Sequence, residues 1–154
     1  IRPATVCGYS PRMRLDLSVN MLTMQALANG RITVFGGFQT RPNIHIKDMV
    51  EVYLHLLDTF ELESGIYNAG FENLSIMSIA EKVKEHVPAD IVVTNSDDPR
   101  SYRVNSDKLI STGFQPNYDV QDAINEIIEE YQNGRIDDDD GCYNLRVMKK
   151  TLAV

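Results

Sequence analysis

The sequence is poor in the residues that mark several protein classes. Its 154 residues include two cysteines, no tryptophan, six prolines and nine glycines. Cys7 and Cys142 lie far apart and provide neither a disulfide framework nor the spacing of a metal site, so we expect a reducing, cytoplasmic compartment. The low glycine and proline content excludes collagen-like and low-complexity proteins.

Basic residues are also scarce, with 15 Lys and Arg against 22 Asp and Glu and a formal net charge of −7 at pH 7. Binding to phosphate backbones requires clustered Lys and Arg, so we expect no nucleic-acid partner. No apolar run is long enough for a bilayer-spanning helix, and we expect no membrane association. The 43% hydrophobic and 24% charged residues are typical of a globular domain with its own core.

Short apolar runs alternate with stripes of apolar residues at helical spacing. The predicted strands cover residues 1–7, 32–35, 44–46, 66–69 and 91–93. The predicted helices begin at the N-cap residues Asp16, Asp48, Ser75 or Ser78, Ser106 and Asp119. This alternation predicts an α/β fold with parallel strands.

The most biased stretch of the sequence is the run of four aspartates at 137–140. Adjacent carboxylates repel one another, and a cation site would need ligands spread around a turn. We therefore expect this run to be a solvated tail rather than a metal site.

Complete catalytic motifs are absent from the sequence. There is no GxGxxG turn, Walker loop or GxSxG elbow. No base can be placed beside Cys7, which is interpreted as a packed small hydrophobic residue rather than a nucleophile. The three histidines lie on separate predicted elements, and His45, between two isoleucines, is interpreted as a hydrogen-bonded structural residue rather than a metal ligand. We predict no catalytic residue and no metal site in this chain.

Arginines in or beside predicted loops are the most prominent polar feature. A loop arginine offers a rigid fork that matches phosphate oxygens, so this set could line an anion pocket. Ion pairs with the many surface carboxylates are the alternative, and the two remain open for the set as a whole. The arginines concerned are Arg2, Arg12, Arg14, Arg41, Arg100 and Arg103.

Three stretches of the sequence together resemble the C-terminal half of an extended short-chain dehydrogenase/reductase, in the group of NAD-dependent nucleotide-sugar epimerases and dehydratases. The first is the segment 1–12, IRPATVCGYSPR. The second is ITVFGG at 32–37, followed by RPNIHIKD at 41–48. The third is YNAG at 67–70, followed by the helix start at 75–81 and DPR at 98–100. The resemblance runs from residue 1 to about 134, with a weaker likeness through Asn144.

The resemblance implies roles for eight residues, six of which would bind the substrate. In this family the N-terminal half holds NAD and a Tyr/Lys pair, and the C-terminal half holds a nucleoside-diphosphate sugar. Arg41 and Arg100 match diphosphate-binding arginines, and His45 and Asp48 match positions that we interpret as structural. The other substrate-binding positions implied are Thr5 and Asn20 near the substrate and Val34 and Phe35 along the nucleobase.

The sequence departs from the family pattern at two positions and lacks one half of it. Cys7 replaces the usual aromatic residue before Gly8, and Asn43 stands where an aromatic or aliphatic residue is common. The Gly-rich turn and the Tyr-x-x-x-Lys motif are absent, and the sequence opens with Ile1 rather than Met. We therefore expect a piece of a longer enzyme, inactive by itself, whose NAD is bound mainly by the missing N-terminal half.

The resemblance also implies a domain organisation. We expect a substrate-binding lobe and the last strands of a Rossmann-like parallel sheet, whose open edges and apolar face call for a companion N-terminal half or a homo-oligomer. The alternatives are a non-catalytic module that binds nucleotide sugars or a protein partner, and an unrelated α/β domain. The expected parts are 1–8 and 41–70 (Rossmann-like sheet), 9–40 and 71–134 (substrate-binding lobe) and 135–154 (acidic tail).

Overall fold

The computed structural model describes residues 1–59, 62–96 and 98–152. It confirms an α/β fold with parallel strands. The strands are β1 (Arg2–Pro3), β2 (Thr5–Cys7), β3 (Arg31–Phe35), β4 (Thr40–His45), β5 (Asn68–Ala69), β6 (Glu72–Ser75) and β7 (Asp90–Thr94). The helices are α1 (Ser18–Asn29), α2 (Ile46–Asp58), α3 (Ile76–His86), α4 (Asp107–Ile110), α5 (Val120–Gln132), a 3₁₀ turn (Asp140–Cys142) and α6 (Asn144–Leu152).

The strands form three small sheets. β1 pairs with β5 and β3 pairs with β7, both in parallel. β4 is the middle strand of the third sheet, parallel to β2 and antiparallel to β6. The strand β6 was not predicted, because its sequence Glu-Asn-Leu-Ser has no apolar alternation.

Several predicted helix ends are confirmed. Asp119 caps α5 in a reciprocal capping box with Asp122. Ser75 is the N-cap of α3 and accepts a hydrogen bond from the Ser78 backbone N–H, which decides between the two serines. Gly30 ends α1 in the left-handed conformation, with φ of 60°.

Two predicted N-caps are wrong. The Asp16 side chain does not cap α1; it accepts hydrogen bonds from the Arg14 side chain and the Asn144 backbone. The cap of α2 is His45, while Asp48 lies in the first turn and accepts from the backbone N–H groups of residues 117 and 118. In both cases the carboxylate accepts hydrogen bonds from residues distant in sequence instead of from the first backbone N–H groups of its own helix.

The main core lies between α1, α3, α5, β3 and β7. The helix α5 contributes side chains of its predicted apolar stripe. The stripe predicted for α1 was Leu17, Met21, Met24, Leu27 and Ala28, but α1 places Val19, Leu22 and Ala26 in this core. A second cluster joins β4, α2 and β5 to α4 and the following loop. Fully buried residues of the main core include Val19, Leu22, Ile32, Val34, Ile79, Val83, Val120 and Ile124.

The C-terminal segment, residues 135–152, folds instead of trailing as a tail. The four aspartates are exposed, as expected for a solvated run. Asp140 pairs with Arg146 and Lys150 of α6, which the sequence analysis did not predict. Ile136, Cys142 and Tyr143 pack on a third apolar cluster that includes Met13, Leu15, Met24 and Ile127.

The helix α2 buries Met49 and Val52 but leaves an apolar strip in solvent. The apolar face predicted from the sequence comprises Met49, Val52, Tyr53, Leu56, Leu57 and Phe60. Part of this face is therefore exposed, and Phe60 lies outside the described residues. The side chains of this strip are between about half and three-quarters exposed: Val50, Tyr53, Leu54 and Leu57. None of the described helices combines the length and the hydropathy needed to cross a membrane.

Candidate functional site: an anion-binding cleft at the start of α1

A cleft opens beside the N-terminus of α1, between β3, β4 and the loop after β7. It brings together three of the residues implied by the resemblance: Phe35, Arg41 and Arg100. Asp16, Ser18 and Asp98 line the same cleft.

The two arginines converge on one carboxylate. Arg100 binds Asp98 in a bidentate pair, with Nε–Oδ1 at 2.8 Å and Nη2–Oδ2 at 2.7 Å. Arg41 Nη2 lies 3.2 Å from Asp98 Oδ2. These hydrogen bonds from Arg100, followed by the nearby charge of Arg41, hold the pKa of Asp98 well below its usual range. The fork that grips this carboxylate is also the geometry that grips phosphate oxygens.

Arg41 is the more fixed of the two arginines. Its side chain is 16% exposed, against 77% for Arg100. Arg41 Nη1 donates to the backbone carbonyl oxygens of Thr40 and Arg100. The Arg41 guanidinium also lies 5.9 Å from the centre of the Tyr102 ring. Arg41 is therefore preorganised, whereas Arg100 can adjust to a ligand.

The N-terminus of α1 adds backbone donors to the cleft. Leu17 occupies the N-cap position, where no side chain caps the helix. The Ser18 Oγ is buried and has no hydrogen-bond partner among the described residues. A helix N-terminus carries a partial positive charge and unpaired N–H groups, which favour an anion.

The residues at the end of β3 play different parts. Phe35 is 56% exposed and offers a flat apolar face in the cleft. Val34 points the other way, because side chains alternate along a strand, and it is fully buried in the main core. Only the backbone of Val34 can contact a ligand.

Asn20 and Thr5 lie outside this cleft. The Asn20 side chain is buried, accepts from the Gly8 backbone N–H at 3.1 Å and donates to the Arg14 carbonyl oxygen at 3.0 Å. Asn20 lines a second cavity, on the other side of the α1 start, with Arg12 and Arg14. Thr5 is half-buried on β2 and lines neither cavity.

A buried polar network fixes the chain where β2 ends. His45 Nδ1 accepts from the Lys47 backbone N–H at 3.1 Å, and its Nε2 lies 3.3 Å from Glu126 Oε2. Glu126 also accepts from the Tyr9 backbone N–H at 3.0 Å and pairs with Lys47 Nζ at 2.7 Å. Burial lowers the pKa of His45 and outweighs the opposing charge of Glu126. His45 therefore donates to Glu126 as a neutral ring, a structural role.

The two positions that depart from the family pattern are both buried. Burial raises the pKa of Cys7 to about 12, and its thiol lies 3.4 Å from the Ile44 carbonyl oxygen. Such a thiol is a poor nucleophile, as expected for a packed residue. Asn43 donates from Nδ2 to the Arg41 carbonyl oxygen at 2.8 Å, so it supports the backbone that carries Arg41.

Some residues of the cleft were not identified from the sequence. Asp98 lies two residues before Arg100, and this spacing was the available signal for a local pair. Ser18 and Asp16 gave no comparable signal, because their position depends on where α1 begins. Within the described ranges, no group of three or more His, Cys, Asp and Glu could hold a metal ion.

Residues 1–70 match the NAD dependent epimerase/dehydratase family. This match agrees with the resemblance seen in the sequence. The matched residues include the implied positions up to Arg41, whereas Arg100 lies beyond them.

Solved structures of this family share the fold of the chain. The UDP-glucuronic acid 4-epimerase of Bacillus cereus, in complex with UDP-glucuronic acid and NAD, aligns with a TM-score of 0.72 and 24% identity over 86% of this chain and 44% of its own. The ADP-L-glycero-D-manno-heptose-6-epimerase of Helicobacter pylori aligns with a TM-score of 0.72 and 21% identity, over 85% and 43%. The dTDP-glucose 4,6-dehydratase of Bacillus anthracis, in complex with NAD, gives 0.72 and 18%, over 86% and 43%. This chain thus spans less than half the length of each.

Proposed function

We propose that this chain is the C-terminal, substrate-binding part of an NAD-dependent nucleotide-sugar epimerase or dehydratase. The observation that carries the proposal is the convergence of Arg41 and Arg100 at the uncapped N-terminus of α1. The match of residues 1–70 to the epimerase/dehydratase family and the fold shared with solved epimerases support the proposal. We assign the substrate-binding lobe to 9–40 and 71–134, and 1–8 and 41–70 to the Rossmann-like sheet.

The ligand of the cleft is a nucleoside diphosphate carrying a sugar. Its diphosphate takes hydrogen bonds from Arg41, Arg100 and the first backbone N–H groups of α1. Asp98 holds both arginines in place. When the ligand binds, the exposed Arg100 exchanges its ion pair with Asp98 for one with the diphosphate. The nucleobase lies on the exposed face of Phe35, as aromatic stacking favours.

NAD does not fit the residues described here. A dinucleotide cradle needs a Gly-rich turn between a strand and a helix. The strand β3 is followed by Gly36 and Gly37, but these lead into β4 rather than a helix. NAD is therefore held mainly by an N-terminal half of the longer protein.

The reaction of the longer enzyme is a transient oxidation of the sugar at C4. Oxidation at C4 needs a base for the hydroxyl proton and an acceptor for the hydride; NAD would supply the acceptor when bound, and the described residues supply neither group. The residues of the cleft bind the nucleotide sugar and orient it toward those groups. We therefore expect no turnover by the chain alone.

The exposed strip of α2 is where the Rossmann-like part is uncovered. We propose that the N-terminal half of the same enzyme covers it, since the chain spans less than half the length of its structural neighbours. A homo-oligomer formed through this strip is the competing arrangement. Sedimentation of the chain over a range of concentrations tests this. A dimer that dissociates when charged residues are introduced into the strip would favour self-association.

A non-catalytic binding module in the cytoplasm is the second candidate function. The observation that favours it is that the anion-binding cleft is built from this chain without outside residues. It predicts tight binding of a nucleotide sugar in the absence of any other half.

Calorimetric titration of the chain with four nucleotide sugars tests the proposal. UDP-glucose, dTDP-glucose, ADP-glucose and GDP-mannose carry different bases on the same diphosphate. We expect one base to bind better than the others, with the matching nucleoside diphosphate competing for the same site. Absence of binding by all four sugars and their diphosphates would contradict the proposal.

A further inference from the structure

We infer that the C-terminal segment, residues 135–152, positions the substrate-binding loop 9–16 and that Asn144 is the positioning residue. This inference rests on the proposed function, because it concerns the same ligand. From the sequence, this segment is described as an acidic tail and is assigned no role.

Four hydrogen bonds tie the segment to the loop. Asn144 makes two of them: its Oδ1 accepts from Arg12 Nη2 at 3.0 Å, and its backbone N–H donates to Asp16 Oδ2 at 3.1 Å. The Leu15 N–H donates to the carbonyl oxygen of Cys142 at 3.0 Å. The Tyr9 hydroxyl donates to the carbonyl oxygen of Arg135 at 3.4 Å.

Apolar packing accompanies these bonds. Met13 and Leu15, on the loop, are buried in the cluster that receives the apolar side chains of the C-terminal segment. The loop contains no helix or strand of its own. Its conformation is therefore set by outside contacts, and the segment supplies a large share of them.

The loop contributes to both cavities beside α1. Arg12 and Arg14 line the second cavity, together with Asn20 and Leu17. Asp16 lines the cleft of the two diphosphate-binding arginines. Asn144 thus contacts one residue of each cavity, and its side-chain oxygen acts only on Arg12.

The negative charge of Asp16 explains why the hydrogen bond from the Asn144 backbone N–H to its side chain matters. A free carboxylate facing the diphosphate would repel it. Asp16 is instead engaged by Arg14 Nε at 2.9 Å and by the Asn144 N–H. Leu17 lines the second cavity and the adjacent Ser18 lines the cleft, so the two cavities meet at the start of α1. With the diphosphate in the cleft, we place the attached sugar in the second cavity, beside Arg12.

Two ligands separate the role of Asn144 from diphosphate binding. The candidate probes are UDP-glucose, dTDP-glucose, ADP-glucose and GDP-mannose, each with its own nucleoside diphosphate. The nucleotide sugar that binds the unaltered chain, together with its diphosphate, is then used to measure the variants. Asn144→Ala removes the acceptor for Arg12 and keeps the backbone N–H. We expect the dissociation constant of the nucleotide sugar to rise about 5- to 20-fold, at or below the low end for a lost hydrogen bond to a charged group because Asn144 acts through Arg12. The dissociation constant of the diphosphate should stay within about two-fold.

Four further variants make the test specific. Asn144→Asp keeps an acceptor for Arg12 and should restore sugar binding. Arg12→Ala should cause the same loss as Asn144→Ala, and the double variant should add little to either. Asn133→Ala, an asparagine at the end of α5 that lines neither cavity, is the matched control. Hydrogen exchange of the Leu15 N–H checks that the loop still packs.

Each outcome has one meaning. An equal loss for nucleotide sugar and diphosphate, or no loss for either, overturns the positioning role while leaving the proposed function in place. Failure of the unaltered chain to bind any of the eight probes overturns the proposed function and this inference with it.

Discussion

At the scale of single residues, the cleft depends on carboxylates as much as on arginines. Asp98 aligns Arg41 and Arg100, and Asp16 is held by Arg14 and the Asn144 backbone. The sequence resemblance pointed to the two arginines, because they stand in recognisable motifs. It did not point to Asp16, because that side chain acquires its role from a residue 128 positions away.

Gly8 is a residue whose replacement should be costly. Its φ is 101°, and a Cβ there would lie 3.0 Å from His45 Nε2 and 3.1 Å from Glu126 Oε2. Gly8→Ala should lower the free energy of unfolding by about 2 kcal/mol or more through backbone strain and disruption of this network. Urea denaturation measures the change.

Gly113→Ala is the matched control for that variant. Gly113 has φ of 95° but nothing within 4 Å of an added Cβ, so it carries only the backbone strain. Gly8→Ala should be the more destabilising of the two. Equal losses would mean that the contacts to His45 and Glu126 contribute nothing.

His45 should make stability depend on pH. Its pKa is lowered in the folded state by burial, so the unfolded chain binds more protons than the folded chain around pH 5.5–6.5. The free energy of unfolding therefore falls as the pH drops from 7.5 to 5.5. His45→Asn keeps an acceptor for the Lys47 N–H and removes this titration, so its stability should fall less over the same range.

The comparison of the two proteins removes other contributions. Burial raises the pKa of Glu72, which acts in the opposite direction by adding stability as the pH falls. Glu72 is present in both proteins and cancels in the difference. An identical pH dependence in the two proteins would show that His45 is not held neutral.

At the scale of elements, the sequence was informative wherever a feature is local. Asp119 caps α5 as predicted, because its partner Asp122 is three residues away. The antiparallel strand β6 was missed, because its side chains carry no period-2 pattern. The helix α6 was missed because the preceding aspartates suggested a solvated tail, although Arg146 and Lys150 lie within reach of Asp140.

Asp119→Ala should destabilise the chain through the capping box of α5. Loss of a side-chain cap costs about 1 kcal/mol, and the α5 stripe is part of the main core. The urea midpoint should fall with an unchanged slope. Glu129→Ala removes the same charge near the C-terminus of α5, where a carboxylate is unfavourable, and should not lower the midpoint.

At the scale of the whole molecule, the chain spans less than half the length of its structural neighbours and leaves part of α2 uncovered. The α/β class and the match of residues 1–70 to an epimerase/dehydratase family model were predictable, because strand–helix alternation and motif order can be recognised in a single sequence. The packing of the C-terminal segment on the loop 9–16 was not predictable, since it joins the two ends of the chain. The cleft that we propose as the substrate site is lined by residues of this chain.

The most direct test of the account is a calorimetric comparison of three variants for the nucleotide sugar that binds best. Arg41→Ala and Arg100→Ala each remove a guanidinium group that we propose binds the diphosphate. Arg31→Ala removes an exposed arginine that does not line the cleft. We predict affinity losses of about 10-fold or more for the first two, with Arg41→Ala the larger, and no change for Arg31→Ala. Equal affinities for all three would contradict the assignment of this cleft as the diphosphate site.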